Sequence, residues 1–103
     1  MQVTITPGLL SGTITPPPSK SQAHRLLIGA ALAPGESVIR GLVHSQDIDA
    51  TLRCMEALGA GAVWTEGAVT LQGVSGGSAS MPLLDCGESG STLRFLIPIA
   101  LAL

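Results

Sequence analysis

Three consecutive prolines, Pro16-Pro17-Pro18, divide this chain before any element is assigned. Proline donates no ladder hydrogen bond and disrupts a helix interior, so the run stops strand pairing and delays helix formation until after it. A triple proline is also stiff and suits a connection between two bodies. Ahead of it, Val3 and Ile5 alternate with Gln2, Thr4 and Thr6, the period of a strand. Pro7-Gly8 fits the centre of a type II turn, proline fixing φ and glycine taking φ > 0. Leu10, Gly12 and Ile14 continue as a second strand, so residues 2–15 are expected to form a β-hairpin.

Beyond the prolines the period changes. Ala23, Leu26, Leu27, Ala30 and Ala31 make one apolar face over about 20–33, with Ser19 or Ser21 as cap and Pro34-Gly35 as stop. Val38, Ile39 and Leu42 predict a strand with Gly41 as a bulge. A second helix over about 46–58 is capped by Ser45 or Asp47, faces Ile48, Leu52 and Met55 inward and ends at Gly59. Residues 62–65 and 69–72 flank the hairpin turn Glu66-Gly67. Residues 73–80 read as a flexible loop, and Leu83-Leu84 as a short strand. A third helix starts near Ser89, carries Leu93, Leu96, Ile97, Ala100 and Leu101 on one side, and contains Pro98. This order predicts a mixed α+β fold with β-α-β-α-β-β units, helices layered on a sheet.

The 103 residues allow one domain at most, and 46% apolar against 12% charged residues argues against disorder. Trp64 and Phe95 are the only aromatics, so aliphatic side chains must build the core. A net charge of −2 argues against a nucleic-acid or membrane-surface binder working by bulk charge. Cys54 and Cys86 read as free thiols in a reducing cytoplasm. No signal peptide is visible, and the apolar run 93–103 is too short to span a bilayer. Its last residues, Leu101-Ala102-Leu103, have no polar terminus, which reads as the N-terminal piece of a longer protein.

Function concentrates at two helix starts. The first is Ser19-Lys20-Ser21-Gln22-Ala23-His24-Arg25; the second is Asp85-Cys86-Gly87-Glu88-Ser89-Gly90-Ser91-Thr92-Leu93-Arg94. Lys20, Arg25 and Arg94 are three of only five basic residues. Helix-start N–H groups, hydroxyls and nearby cations are what a phosphate or carboxylate needs. Lys20 adds a mobile charge, Ser21 a hydroxyl, and Arg25 a planar fork one turn along. Gly87 and Gly90 allow close backbone approach, with hydroxyls from Ser89, Ser91 and Thr92. Glu88 favours a helix start yet repels a phosphate placed there. The bland alternatives are an ordinary Ser19 cap with solvated Lys20 and Arg25, and an ordinary strand-to-helix turn. Asp47 and Asp49 either stabilise the second helix's dipole or pair with Lys20 or Arg25. His24 and His44 lack a second ligand at metal spacing and read as surface or hydrogen-bonded histidines. Trp64 reads as strand packing.

In order and spacing, Pro-Ser-Lys-Ser-x-x-x-Arg, then Ser45-Gln46-Asp47, then Gly-x-Ser-Gly-Ser-Thr-Leu-Arg resembles the N-terminal quarter of the EPSP synthase (3-phosphoshikimate 1-carboxyvinyltransferase) family over essentially the whole chain. The resemblance implies transfer of the enolpyruvyl group of phosphoenolpyruvate to the 5-hydroxyl of shikimate 3-phosphate, with release of phosphate, in aromatic amino-acid biosynthesis. It implies addition and elimination through a tetrahedral intermediate without metal or organic cofactor, in a cytoplasmic, monomeric enzyme whose two domains close over the substrates. Residues 1–15 would belong with the C-terminal domain, 16–20 would be the crossover, and 21–103 would be part of the N-terminal domain.

Carried over by position, Lys20 is the catalytic residue that contacts both substrates. Ser21 and Arg25 hold shikimate 3-phosphate. Gly90 lines the phosphoenolpyruvate site, where glyphosate also binds. Glu88 stands where the family often has asparagine, and Phe95 where it often has proline; both bear on glyphosate sensitivity. Arg94 matches a family arginine near the site, and with Glu88 it completes the expected substrate-binding set of Lys20, Ser21, Arg25, Gly90, Glu88 and Arg94. The family's acid/base carboxylate and lysine and further arginines fall beyond residue 103, so the chain's partner would be the remainder of its own polypeptide, and alone it is expected to be inactive. Two alternatives are a UDP-N-acetylglucosamine enolpyruvyltransferase, which typically has Lys-Asn where this chain has Lys20-Ser21, and a non-catalytic phosphate-binding module.

Overall fold

In the computed structural model, residues 1–75 and 81–103 are described. The elements run α1 (Lys20–Leu32), β1 (Glu36–Arg40), α2 (Gln46–Ala57), β2 (Gly61–Thr65), β3 (Ala68–Gln72) and α3 (Gly90–Ala102). Part of the 73–80 loop reading, residues 76–80, lies outside the described residues.

The three strands form one antiparallel sheet in the order β1-β3-β2. Glu66-Gly67 makes the two-residue turn between β2 and β3, and Gly67 takes φ +65° there, which a hairpin turn of this length demands. The register puts Ile39, Val69 and Trp64 in one cross-strand row facing the helices. Val38, Thr70 and Val63 form the row on the opposite face, where both valines are about half exposed or more. The sheet is therefore covered on one side, by α1 and α2, while α3 packs on those two helices. Leu27, Ala31, Ile48, Met55, Leu71 and Leu96 form the centre of the core. Aliphatic packing between the sheet and the two helices is the main stabilising term, roughly 1.5–3 kcal/mol for each large side chain buried.

Each helix begins at a serine. Ser19, Ser45 and Ser89 accept from the backbone N–H three residues on, at 3.3, 3.2 and 3.2 Å. Gly59, at φ +105°, ends the second helix where a side chain would strain the backbone.

Three expectations are corrected. Residues 2–15 form no hairpin: they carry no strand, and Val3, Ile5, Leu9, Leu10 and Ile14 are all exposed. Gly8 is not at positive φ, so the type II turn is not made. The sheet pairs only β1, β3 and β2, so this segment has no strand partner among the described residues, and a lone two-stranded ribbon is marginal in water. The extended segment accounts for a radius of gyration of 17.1 Å, against about 13 Å for a compact domain of this size. Leu83-Leu84 is not a strand either; the carbonyl of Asp85 is taken by the Arg53 guanidinium at 2.9 and 3.2 Å instead of a ladder partner. Finally, only Leu96 of the apolar side expected for α3 is buried, while Leu93, Ile97 and Leu101 are at least half exposed.

Candidate functional site

Chemistry at α1 and α3 starts from what their capping leaves unmade. In α1, Ser19 Oγ takes the Gln22 N–H and the Ser19 carbonyl takes that of Ala23. In α3, Ser89 takes those of Thr92 and Leu93 in the same way. The N–H groups of Lys20 and Ser21, and of Gly90 and Ser91, thus have no intrahelical acceptor. Neither first turn holds an acidic residue, whereas that of α2 holds Asp47 and Asp49. The dipole of α2 is already answered by carboxylates; those of α1 and α3 are open to an outside anion.

α2 ties the two starts together. Lys20 Nζ lies 3.5 Å from Asp47 Oδ2, with both side chains well exposed. From the same residue, the Asp47 carbonyl lies 3.5 Å from Thr92 Oγ1. Deeper in, His24 Nδ1 meets Thr51 Oγ1 at 2.7 Å, Thr51 Oγ1 meets Thr92 Oγ1 at 2.8 Å, and Thr92 Oγ1 meets Ser89 Oγ at 2.6 Å. All four residues are buried. Arg25 bends back to donate to the Ser21 carbonyl at 2.9 Å, and its guanidinium carbon sits 5.1 Å from the centre of the Phe95 ring. Phe95 thereby holds the Arg25 fork near α3 by a cation–π contact.

The second motif is shaped by a turn. Gly87, at φ +53°, donates to Asp85 Oδ1 at 3.0 Å, and Ser89 N–H donates to the Cys86 carbonyl at 3.0 Å. Arg53 clamps the start of this turn through the Asp85 carbonyl and, at 3.6 Å, its carboxylate. Glu88 is exposed and shares a shallow cleft with Gln46, Asp47, Asp49 and Arg53. Arg94 is exposed, with no hydrogen bond or ion pair to another described residue. Gly90 is exposed, and a Cβ added there meets nothing within 4 Å.

Of the residues singled out in the sequence, Lys20, Ser21, Arg25 and Gly90 are thus tied together through α2, Phe95 and the buried hydroxyls. The hydroxyls of Ser89 and Thr92, expected among the groups offered to an anion, are buried and engaged with each other. Thr51 and Arg53 were missed. A threonine on the inward stripe of Ile48, Leu52 and Met55 was the available signal, since a buried hydroxyl needs a partner. His24 is the hydrogen-bonded histidine of the two readings. His44 stacks on Trp64 with ring centres 3.7 Å apart and bonds Asp49 at 3.0 Å.

Burial lowers the pKa of His24; the nearby Lys20 and Arg25 charges add to the effect, and Asp47 opposes it. Above the unfolded value of 6.5, the ring is neutral whether the chain is folded or not. Below it, the unfolded chain takes up a proton that the folded chain resists, so stability falls until the lower folded value is passed. A denaturation midpoint that drops as the pH falls through about 6.5, and drops less in His24→Asn, is the expected result. Cys54 Sγ lies 3.9 Å from Cys86 Sγ; burial first, and then the Cys86 thiol, push the Cys54 thiol up to about 12, which makes it a poor nucleophile.

The family model for EPSP synthase (3-phosphoshikimate 1-carboxyvinyltransferase) matches residues 5–103. The chain is similar to the 3-phosphoshikimate 1-carboxyvinyltransferase of Clostridium perfringens, 46% identical over 97% of this chain and 24% of that protein. It is similar to the same enzyme of Clostridioides difficile strain 630, 44% identical over 95% and 25%. Its fold is similar to the solved EPSP synthase from Acinetobacter baumannii, with a TM-score of 0.71 and 33% identity over 82% of this chain and 20% of that one. The chain therefore spans about a quarter of the length of the relatives it matches. Among the described residues, no helix is long and apolar enough to cross a membrane.

Proposed function

This chain belongs to the EPSP synthase family, and from that premise we propose that it supplies one wall of an enolpyruvyl-transfer site. In the complete enzyme the enolpyruvyl group of phosphoenolpyruvate passes to the 5-hydroxyl of shikimate 3-phosphate, and inorganic phosphate leaves. The observation that carries this reading is the pair of helix starts, each with two N–H groups open to an anion, joined through α2 and flanked by Lys20 and Arg25. Two anionic substrates need two such anchors side by side. Ser21 and Arg25 hold shikimate 3-phosphate, Gly90 borders phosphoenolpyruvate, and Lys20 reaches both. Arg94 adds positive potential, and Glu88, beside the start of α3, completes the substrate-binding set from the rim of a cleft it shares with α2.

The chemistry asked of these residues is electrostatic. Fixed N–H donors and a lysine stabilise charge as phosphate departs, and they do so most strongly once water is excluded. Closure by the rest of the polypeptide would provide that exclusion. The groups that move protons lie outside this chain, so residues 1–103 bind without turning over. A reducing cytoplasm suits the two free thiols. A UDP-sugar enolpyruvyltransferase is disfavoured by Ser21.

Gly90→Ala tests the placement of phosphoenolpyruvate. The structure has room for the methyl group, and alanine is the better helix former, so stability should hold or rise by up to about 1 kcal/mol. In the complete enzyme the same methyl group should raise KM for phosphoenolpyruvate several-fold. An unchanged KM would remove Gly90 from the site.

A further inference from the structure

We propose that His24 is a positioning residue for this anion site: a neutral imidazole protonated on Nε2, it anchors a buried relay of hydroxyls, Thr51, Thr92 and Ser89, that sets the start of α3 against the start of α1. The inference rests on reading the two helix starts as one site, and it extends that reading to residues that touch no substrate.

The direction of the relay follows from hydrogen counting and bond length together. Each hydroxyl has one hydrogen to donate and must find it an acceptor. If His24 Nδ1 accepts from Thr51, then Thr51 accepts from Thr92 at 2.8 Å, and Thr92 accepts from Ser89 at 2.6 Å. All three hydroxyl hydrogens are then used, and Ser89 Oγ still accepts the Thr92 N–H as helix cap. If Nδ1 instead carries the proton, Thr51 donates to Thr92, and the Thr92 hydrogen is left with the Asp47 carbonyl at 3.5 Å, a long and weak bond, while Ser89 donates to Thr92. The first arrangement places all three hydroxyl hydrogens in bonds of 2.8 Å or less and is the one preferred. It also fits a neutral ring, because the imidazolium would donate from Nδ1. The charged groups around the ring are Asp47, Lys20 and Arg25.

The relay crosses from α1 to α2 to α3 and ends on the residue that caps α3. Ser89 orients the first turn of α3, and with it the open N–H groups of Gly90 and Ser91. His24 lies one turn beyond Lys20 and Ser21 on α1. The hydrogen bonds therefore fix the spacing of the two anchors more tightly than apolar packing alone, since their lengths and angles are narrow.

The test uses the 103-residue chain as wild type, Thr51→Val and Thr51→Ser, followed by NMR of the imidazole nitrogens and the backbone amides. In the wild type at pH 7, His24 should show an unprotonated Nδ1 and a protonated Nε2. Thr51→Val keeps the shape and deletes the bond; it should move the Gly90–Thr92 amides and weaken binding of shikimate 3-phosphate about tenfold. Thr51→Ser should restore both. A protonated Nδ1, a Thr51→Val spectrum unchanged at Gly90–Thr92, or a Thr51→Ser that behaves like valine would overturn the proposal. If the wild type ignores shikimate 3-phosphate, the reading of the site fails, while the relay still stands or falls on the amide shifts. If Thr51→Val does not fold, the wild-type imidazole spectrum and Thr51→Ser decide.

Discussion

Replacing Lys20 with alanine is expected to lower affinity for shikimate 3-phosphate by about ten- to a hundredfold while leaving the fold close to wild-type stability. The two halves of this expectation have separate causes. Lys20 is the first residue of α1 and its side chain is 63% exposed, with Nζ 3.5 Å from the carboxylate of Asp47, whose side chain is 40% exposed. An ion pair in that setting contributes about 0–1 kcal/mol, because water and salt screen it. Alanine is also a good helix former, so little is lost locally. A bound dianion changes the balance. It would sit over the open N–H groups of Lys20 and Ser21 and draw Nζ from Asp47 into a charge-assisted contact. Isothermal titration with shikimate 3-phosphate, beside a denaturation curve, separates the two effects. A variant that binds as well as wild type would place the phosphate elsewhere.

Gly73→Ala is expected to destabilise the chain by about 3 kcal/mol or more, the largest stability effect of any single methyl group considered. The end of β3 turns back onto the end of α1 at this point. Gly73 N–H donates to the Gly35 carbonyl at 2.9 Å, and Val74 N–H donates to the Ala31 carbonyl at 2.8 Å. A Cβ at residue 73 would overlap the Ala33 carbonyl oxygen and lie 2.9 Å from its carbon. The obstacle is backbone, which cannot rotate away as a side chain would. Relief requires parting β3 from α1 and breaking both hydrogen bonds. Urea denaturation measures the loss as a lower midpoint at unchanged slope. Gly29→Ala is the control: a Cβ there meets nothing within 4 Å, and the helix interior should gain about 1 kcal/mol.

The parts of the fold legible from sequence were those decided by local rules. The spacing predicts α1 over about 20–33, and it is Lys20–Leu32; it predicts α2 over about 46–58, and it is Gln46–Ala57. Serine caps, a proline-glycine stop and 3.6-residue spacing act within a few residues, so no distant partner was needed. The β2–β3 hairpin follows from its two-residue turn for the same reason. The misread segments depend on partners far away. Residues 2–15 alternate like strands, yet alternation predicts a strand only if another strand is there to pair with it. Leu83-Leu84 had the composition of a strand, but Arg53, thirty-two positions from Asp85, took the carbonyl.

The site divides along the same line. Lys20, Ser21, Arg25 and Gly90 stand at helix starts that sequence rules locate. The sequence offers the hydroxyls of Ser89 and Thr92 to a ligand because a Gly/Ser turn gives no sign of what packs over it. Their partners, Thr51 and His24, come from α2 and α1, and only the packing of three helices joins them. His24 and Thr51, polar residues buried among apolar neighbours, mark one end of that relay.

A two-dimensional amide NMR titration of the chain with shikimate 3-phosphate, repeated with UDP-N-acetylglucosamine, tests the central claim most directly. The account predicts dispersed peaks in which Lys20, Ser21 and Arg25 move on adding shikimate 3-phosphate and stay in place with the UDP-sugar. Equal movement with both ligands, or a dispersed spectrum that moves with neither, would contradict it.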